Sequence, residues 1–567
     1  ETPWYLYTWQ GAYEQDGVTP QLVRGRRGPA DPRLTQASED QLNVLLGGVL
    51  NYDRKIGDHT LNVMAGINRE TIDNENFNAY RRYFISTAID QLVAGGEREK
   101  NNNGGAWNRA RLNYFGRVGY NYKEKYIAEF LWRYDGSYMF PKDSRFGFSP
   151  GVLAGWRISE ENFWKENVPF VNYLKLRGSW GRMGNDNIYF KNNYAEGQYL
   201  EDDAKLQEYQ YYSTYGYGTY IVDGLLVKSL YESRVPNAFV TWEVADNYNL
   251  GLDGQLMDGK INFEFDVFMN KRSNILWQRN ASIPQSTGMT LPAENIGKVD
   301  NKGWEFNVGY NGAAGDFKYN ISVNGGYTKN KIKFWDEAPG APEWQRTTGR
   351  VSDAQLYYIY DGVFRDEADI ASNTLDYSAI TNNLRPGDMK YQDYDGDGKI
   401  TPDDRIRRDK NRQPTFQGGL NIGLQYKNFD LTVLFQGASG GELRVASDES
   451  GAIGNYLLEF YENRWTVENP SSEHPRITDR SDQYYSNNNT YWLQSTNYIR
   501  LKNVELGYTL PTRIGEKIGI SNLRVYVSGF NLLTFSKMKA YDPESTNVLG
   551  QYYPQSRILN TGLAVTF

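Results

Sequence analysis

Apolar and polar side chains alternate along almost the whole chain, which is the pattern of strands that bury one face and wet the other. In residues 261–267 every second residue is aliphatic or aromatic, and the residues between them are Asn, Glu and Asp. We count about 16 such segments, with an error of about two. Others are 61–67, 126–132, 174–180, 304–310, 420–424, 429–435, 504–508 and 523–527. The sequence therefore predicts an all-β fold.

The connections between these strands have two lengths that take turns along the chain. Short ones lie at 56–59, 123–125, 258–259 and 427–428. Residues 258–259 are Asp-Gly, a strong signal for a tight hairpin. Long polar ones lie at 70–110, 182–242, 272–298, 331–414, 437–490 and 534–555. Outer-membrane barrels alternate short periplasmic turns with long extracellular loops, whereas a soluble sandwich has no reason to do so. The pattern favours a transmembrane antiparallel β-barrel.

Composition agrees with a barrel and excludes several other classes. Only 39% of the residues are hydrophobic while 15% are aromatic, as expected of a sheet that is apolar on one face and has aromatic girdles. No run of about 18 apolar residues is present, so no membrane-spanning helix is predicted. The last residues alternate again and end on the aromatic Phe567, as outer-membrane barrels commonly do.

Catalysis and nucleic-acid binding find little support in the residue content. The chain has no Cys and two His, and its net charge is −7 without basic clusters. Thiolate sites are therefore impossible, and nucleic acid is an unsuitable partner. Neighbouring carboxylates such as Glu160 and Glu161 point to opposite sides of a strand, so they do not form a glycosidase pair. We predict no enzymatic activity.

Seven short segments carry a resemblance to a known family through their order and spacing. They are GRVGYNYKEKY at 116–126, RYDGS at 133–137, WRISEE at 156–161, LKLRGSWG at 174–181, NKGWE at 301–305, YIRLKNV at 498–504 and GFNL at 529–532. From about residue 110 onward, the chain resembles the SusC (RagA/SusC) family of TonB-dependent outer-membrane transporters from Bacteroidetes-type bacteria.

The resemblance implies a barrel of about 22 strands whose lumen is plugged by an N-terminal domain. Because about 16 strands are counted, we expect residues 1–567 to be the C-terminal part of such a barrel. The plug, the TonB-contacting segment and the first strands are then absent. The family implies active import of a large nutrient, an oligosaccharide or a peptide, across the outer membrane of a Gram-negative bacterium. It also implies two partners: TonB, acting through the missing N-terminal region, and a SusD-like surface lipoprotein that serves as a lid.

Two other functions share part of this pattern. A passive porin has the same barrel signals but no plug and no lipoprotein partner, so a TonB-contacting segment would distinguish the two. A surface adhesin-like β protein would dissolve without detergent and would repeat its loop motifs. The family-like segments favour the importer.

The acidic stretch 393–404 matches the twelve-residue calcium loop of EF-hands. Carboxylates stand at loop positions 1, 3 and 5, a glycine at position 6, and a carboxylate at position 12, where Asp replaces the usual Glu. No helical pattern flanks the stretch, so it is not a complete EF-hand, and an acidic turn without metal is the alternative. We predict that it binds calcium or magnesium in an extracellular loop. The predicted ligands are Asp393, Asp395, Asp397, Lys399 through its carbonyl, Thr401 and Asp404.

Aromatic residues in the loops and near strand ends have less specific interpretations. The tyrosine-rich run 209–220 suits stacking on sugars, but packing on itself or on a partner lipoprotein is the favoured interpretation. Trp132, Trp156, Trp180 and Trp277 are expected to be membrane-interface anchors. The sequence does not single out substrate-contacting residues or the class of substrate.

Overall fold

The structure is a computed structural model. It describes residues 2, 4–13, 20–86, 88–186, 208–279, 292–445, 458–470, 473–476, 488–511, 519–538, 541–545, 547, 553 and 555–566. Within these ranges the chain consists mainly of long antiparallel strands, so the all-β prediction is confirmed. No helix among the described residues is long and apolar enough to cross a membrane.

Two-stranded sheets account for ten of the strands. They are β1 (Trp4–Tyr13) with β2 (Pro20–Arg27), β9 (Thr214–Val222) with β10 (Leu225–Arg234), β15 (Leu356–Tyr357) with β18 (Ile406–Arg407), β16 (Tyr360–Val363) with β17 (Met389–Tyr391), and β21 (Glu442–Arg444) with β22 (Leu493–Ser495). Short helices α1 (Asn162–Asn167), α2 (Glu367–Ala371) and α3 (Leu458–Asn463) lie in connections.

Fifteen strands form one large sheet in which sheet order follows chain order. The predicted number, about 16 with an error of about two, agrees with this count. The strands are β3 (Arg33–Ile56), β4 (His59–Arg82), β5 (Asn101–Tyr122), β6 (Tyr126–Ser137), β7 (Phe146–Arg157), β8 (Val171–Asn185), β11 (Glu243–Leu256), β12 (Ile261–Gln278), β13 (Ala293–Ala314), β14 (Phe317–Phe334), β19 (Phe416–Tyr426), β20 (Phe429–Ser439), β23 (Tyr498–Thr509), β24 (Asn522–Ser536) and β25 (Ile558–Thr566).

Short turns lie where the sequence predicts them. Residues 57–58 join β3 to β4, residues 123–125 join β5 to β6, residues 257–260 join β11 to β12, and residues 427–428 join β19 to β20. Several turn residues have the positive φ that tight hairpins need, including Gly57 at 58° and Gly259 at 79°.

Two predicted long loops are too long at their ends, and a third contains a hairpin that was not predicted. The prediction that residues 70–110 form one loop was wrong, because β4 continues to Arg82 and β5 begins at Asn101. The segment 272–298 likewise loses residues to β12 and β13. A barrel strand needs only about 9–11 residues to span the bilayer. These strands continue beyond that length into polar sequence. Hydrogen bonding to a neighbouring strand keeps the polar residues extended, although their hydropathy does not predict a strand. The third segment, 182–242, contains the hairpin of β9 and β10.

The chain divides into two compact units. The first comprises Glu1–Asn51, Met64–Gly116 and Arg133–Tyr138. Inside it, Arg82 forms ion pairs with Asp31 (Nη2–Oδ2 2.6 Å) and with Glu99. These pairs join the end of β4 to the segments before β3 and β5.

The second unit comprises Tyr52–Val63, Arg117–Trp132 and Met139–Phe567, and its part of the large sheet has two chemically different faces. Residues that pair directly across strands share a face. One row across β11 to β14 is apolar: Leu250, Val267, Trp304 and Tyr327. The next row faces the other way and is small or acidic: Gly251, Asp266, Glu305 and Gly326. Leu250 remains 55% exposed, so the apolar face is uncovered in this chain.

A buried guanidinium holds the last long loop to the sheet of the second unit. Arg500 on β23 is 1% exposed, and its Nη2 donates to both Oδ1 (2.9 Å) and Oδ2 (2.7 Å) of Asp542. Its Nη1 donates to Glu544 at 2.6 Å and its Nε to Thr534 at 2.9 Å. Breaking a buried ion pair by removing one partner costs about 3–5 kcal/mol, so this contact fixes the loop firmly.

Candidate metal centre and the loop core

The long loops fold together around an apolar core of their own. Aromatic residues dominate it, and Tyr358 stacks on Tyr391 with ring centroids 4.9 Å apart. Burial raises the pKa of Tyr358 and of Tyr377 to about 12, which keeps both phenols neutral in ordinary medium. The core residues are Tyr358, Phe364, Tyr377, Met389, Tyr391 and Ile400 from residues 335–415, Leu443, Val445 and Trp492 from residues 440–497, and Met538 from residues 537–557.

The predicted metal loop is attached to this core by Ile400, which is fully buried. The Ile400 N–H donates to the Asp376 carbonyl at 2.8 Å, and the Asp376 N–H donates to the Gly398 carbonyl at 3.0 Å. These two bonds make a parallel bridge between Asp376 and Lys399, and neither bond uses the Lys399 carbonyl. The loop is therefore anchored at one side while its acidic side remains near solvent.

Three of the six predicted ligands converge in the structure. One carboxylate oxygen from each of Asp393, Asp395 and Asp397 lies within 4.8 Å of the others. Backbone N–H groups hold the side chains in place: Asp393 accepts from Gly396 (2.8 Å) and Gly398 (2.9 Å). Clustered carboxylate oxygens are the ligands that calcium and magnesium prefer, so the donor set fits such an ion.

Two glycines give this loop its shape. Gly396 has φ of 76° and Gly398 has φ of 83°, a left-handed conformation that strains other residues. Gly398 occupies the position where calcium loops of this type turn sharply. The glycine identified in the sequence is thus required by the backbone itself.

The charges of the loop act on one another. Partial burial and then the negative charges of Asp404, Asp397 and Asp393 raise the pKa of Asp395. The pKa of Asp393 is lowered instead, first because the Gly398 N–H donates to its carboxylate. A divalent cation between the three carboxylates would relieve this repulsion.

Of the three remaining predicted ligands, Lys399, Thr401 and Asp404, the last two form a capping box at the end of the loop. Asp404 is fully buried, and its Oδ1 accepts from the Tyr394 N–H while its Oδ2 accepts from the Thr401 N–H, both at 2.7 Å. Thr401 Oγ1 accepts from the Asp403 N–H at 3.1 Å. The structure therefore does not bring Asp404 into the group of three carboxylates, and its backbone contacts close the loop end to end.

The tyrosine-rich run divides into two parts. Tyr209, Tyr211 and Tyr212 pack on one another, with centroids 4.3 Å apart for the last two. Tyr217 and Tyr220 lie on β9 and are 79% and 68% exposed. The first part therefore packs on itself, and the second remains open to a partner or a ligand.

Comparison with known proteins identifies the family. Residues 3–532 match the family model described as "TonB dependent receptor-like, beta-barrel". The chain belongs to this family. The predicted barrel class and the SusC-like resemblance are both confirmed.

Several relatives of this TonB-dependent receptor-like barrel are known. TonB-dependent receptor P3 of Formosa agariphila is 30% identical over 554 residues, which cover 93% of this chain and 52% of the relative. TonB-dependent receptor SusC of Bacteroides thetaiotaomicron is 27% identical over 482 residues, covering 80% and 44%. The chain spans about half the length of the curated relatives it matches.

Solved structures agree on the fold of the receptor-like barrel. A structure of the RagAB peptide transporter has a TM-score of 0.73 at 21% identity and covers 94% of this chain and 56% of that chain. The RagAB peptide importer in its open-open state has a TM-score of 0.74 at 20% identity, with 95% and 56% covered. Because the family resides in the outer membrane, the apolar face of the sheet contacts lipid and the polar face lines the interior.

Membrane anchoring by tryptophans stays a prediction for Trp132, Trp156 and Trp180. Trp156 is 36% exposed, and its Nε1 donates to Glu161 at 3.2 Å in the turn after β7. Trp277 differs, because its ring packs on Trp335, the first residue after β14, with centroids 3.8 Å apart.

We expect Asp404→Ala to destabilise the metal loop by about 2–3 kcal/mol, because two backbone N–H groups lose their buried acceptor. The neighbouring Asp403→Ala removes an exposed carboxylate and should change stability by less than about 0.5 kcal/mol. Protease cleavage within 393–404, measured by mass spectrometry on outer membranes, should be faster in the first variant alone. Equal cleavage of both variants would contradict the capping role of Asp404.

Proposed function

We propose that the chain is the barrel portion of a SusC-like active importer in the outer membrane of a Gram-negative, Bacteroidetes-like bacterium. It takes up a large nutrient, an oligosaccharide or a peptide. TonB supplies the energy through an N-terminal region outside this chain, and a SusD-like surface lipoprotein covers the entrance. Import needs no covalent chemistry, so the importer is not an enzyme.

The family match over residues 3–532 is the observation that carries this proposal. Relatives that are named TonB-dependent receptors, SusC among them, also support the proposal. The polar rows of β11 to β14 also suit a lumen that admits a hydrated substrate. A passive porin would use the same wall, and an adhesin would need only the loops.

Uptake should depend on TonB. In a bacterium carrying the complete transporter and its neighbouring lipoprotein, deleting TonB should reduce uptake of the nutrient to background, because the plug is moved by that coupling. A general porin in the same cells serves as the control and should be unaffected. Uptake that persists without TonB would favour the passive channel and contradict the importer.

We also propose that Asp393, Asp395 and Asp397 bind a calcium or magnesium ion, with the Lys399 carbonyl, Thr401 and Asp404 completing or supporting the site. Support comes from the convergence of the three carboxylates and from the glycine conformation at Gly398. Because Ile400 belongs to the loop core, an ion here would stiffen the extracellular loops around it.

Calcium affinity should fall by more than about tenfold in the double variant Asp395→Asn/Asp397→Asn, because two of three charged ligands are lost. Asp403→Asn, which changes an exposed carboxylate next to the cluster, is the matched control and should bind as the original does. Isothermal titration of the purified protein measures the affinity. A chelator should also speed proteolysis of the loop, and unchanged cleavage would count against the site.

A further inference from the structure

The apolar face of the sheet ends in a band of charged residues on the side of the long loops. On β12, every second residue from Ile261 to Met269 is apolar, and the next residue on that face is Lys271. A barrel strand crosses the bilayer in about 9–11 residues, so Lys271 lies where this face leaves the hydrocarbon. The face therefore changes its chemistry at the boundary of the bilayer.

Two rows of directly paired residues make up this band. The row next to the hydrocarbon contains the two aromatic residue types that are enriched at membrane interfaces. In sheet order it consists of Trp180, Tyr248, Met269, Lys302 and Lys329. The row beyond it, nearer the loops, consists of Arg182, Asp246, Lys271, Asp300 and Lys331. The band thus has five cationic side chains and two carboxylates.

Ion pairs within the chain neutralise two of the five cations. Arg182 donates to both carboxylate oxygens of Asp246, from Nε at 2.9 Å and from Nη2 at 3.0 Å. Lys329 Nζ donates to the carboxylate of Asp409 at 2.9 Å. Within the described part of the chain, the other three lysines of the band form no ion pair, so their charge is available to a group outside the protein.

These three lysines, Lys271, Lys302 and Lys331, are called here the lysine patch. All three are exposed, and the ammonium of Lys271 lies 5.6 Å from the ring centroid of Tyr248. Lys302 is the diagonal neighbour of the other two, because both of them pair with Asp300. Diagonal neighbours on a sheet are about 7–8 Å apart, so the long side chains can converge on one anion. One carboxylate among three lysines leaves the patch positively charged.

The short-turn end of the same face differs from the long-loop end. On the described strands β11 to β14, the last positions of the apolar face near the short turns are uncharged, namely Leu256, Ile261, Tyr310 and Phe317. Lysines that only keep the rim of a membrane protein hydrated are equally useful at both ends. Their restriction to the long-loop end indicates an anionic group that is present on that side of the membrane.

The outer leaflet of an outer membrane lies on the side of the long loops, and its characteristic lipid is lipopolysaccharide. This glycolipid carries phosphates directly above its acyl chains. Its chains can therefore lie along the apolar rows while a phosphate reaches the ammonium groups above them, where opposite charges attract. We propose that the lysine patch binds the phosphorylated headgroup of lipopolysaccharide and thereby attaches the barrel to the outer leaflet. This inference goes beyond import and rests only on the proposed membrane location, with the long loops outside.

The chain offers a matched control for this surface. Lys260, Lys318 and Lys427 are exposed and lie in or beside the short turns, at the other end of the strands. Toward the described residues, these three lysines also form no ion pair. Exchange of each lysine for Gln removes three charges in either triple variant, but on opposite sides of the membrane. A second comparison is the exchange of the lysine patch for Arg, which keeps the charge.

The test uses the complete transporter in phosphatidylcholine nanodiscs, with native mass spectrometry to measure the lipid that stays bound. The probes are lipid A with its phosphates, the same lipid A after dephosphorylation, and inorganic phosphate alone. We expect phosphorylated lipid A to bind most tightly. The variant Lys271→Gln/Lys302→Gln/Lys331→Gln should weaken its binding about tenfold, because basic residues at a membrane surface attract anionic lipid. The Arg exchanges and Lys260→Gln/Lys318→Gln/Lys427→Gln should leave binding unchanged, and heat-shifted gel mobility checks the folding of each variant.

Three results would overturn the proposal. The first is equal retention of phosphorylated and dephosphorylated lipid A by the unmodified transporter, a comparison that needs no variant. The second is an equal effect of the two Gln triple variants. The third is binding of inorganic phosphate that the patch variant abolishes, which would make the patch a site for a free anion. TonB-dependent uptake is measured separately in cells, so failure of lipid A binding refutes the lipid surface and leaves the import function untouched.

Discussion

The pairing of each strand with the next one in the chain is the constraint on which the rest of the structure depends. A bilayer offers no water to backbone N–H and C=O groups, so every strand must satisfy them through its neighbours. Fifteen strands do so in chain order, with direct register across β11 to β14. That register divides the side chains into two faces. It puts Leu250 and Val267 in one row and Asp266 and Glu305 in the next, so a lipid surface and a polar interior arise together.

The long loops on this sheet need stabilising contacts among themselves, because the sheet fixes only the positions where each loop begins and ends. Here the cohesion is an aromatic core to which three separate loops contribute, and Arg500 adds an ionic attachment for the last of them. The acidic loop reaches this core through Ile400 and is closed by Asp404. An ion bound by Asp393, Asp395 and Asp397 would therefore act on a structure that several loops share.

Strand periodicity made most of the sheet predictable from the sequence, because a period of two is typical of strands and not of helices. Turn chemistry helped as well, because Asp258-Gly259 is a sequence that favours a tight two-residue hairpin turn. The polar ends of β4 and β5 were not predictable, since their pairing rather than their composition keeps them extended.

In the predicted metal loop, spacing alone identified the three converging carboxylates. It also suggested Asp404 as a ligand, whereas the structure uses that side chain to cap backbone N–H groups. Sequence spacing does not show whether a carboxylate accepts hydrogen bonds from the backbone instead of facing the other carboxylates.

The most direct test of the two-faced wall is spin-label accessibility on variants that introduce one cysteine into this chain, which has no Cys of its own. Phe265→Cys and Val267→Cys label the apolar face of β12, and Glu264→Cys labels the polar face of the same strand. In the complete transporter reconstituted in a bilayer, the first two labels should relax strongly with oxygen, which concentrates in lipid. The third should respond to a water-soluble nickel chelate. Equal accessibility at the three positions, or the reverse pattern, would contradict a lipid-facing apolar face and with it the barrel on which the account depends.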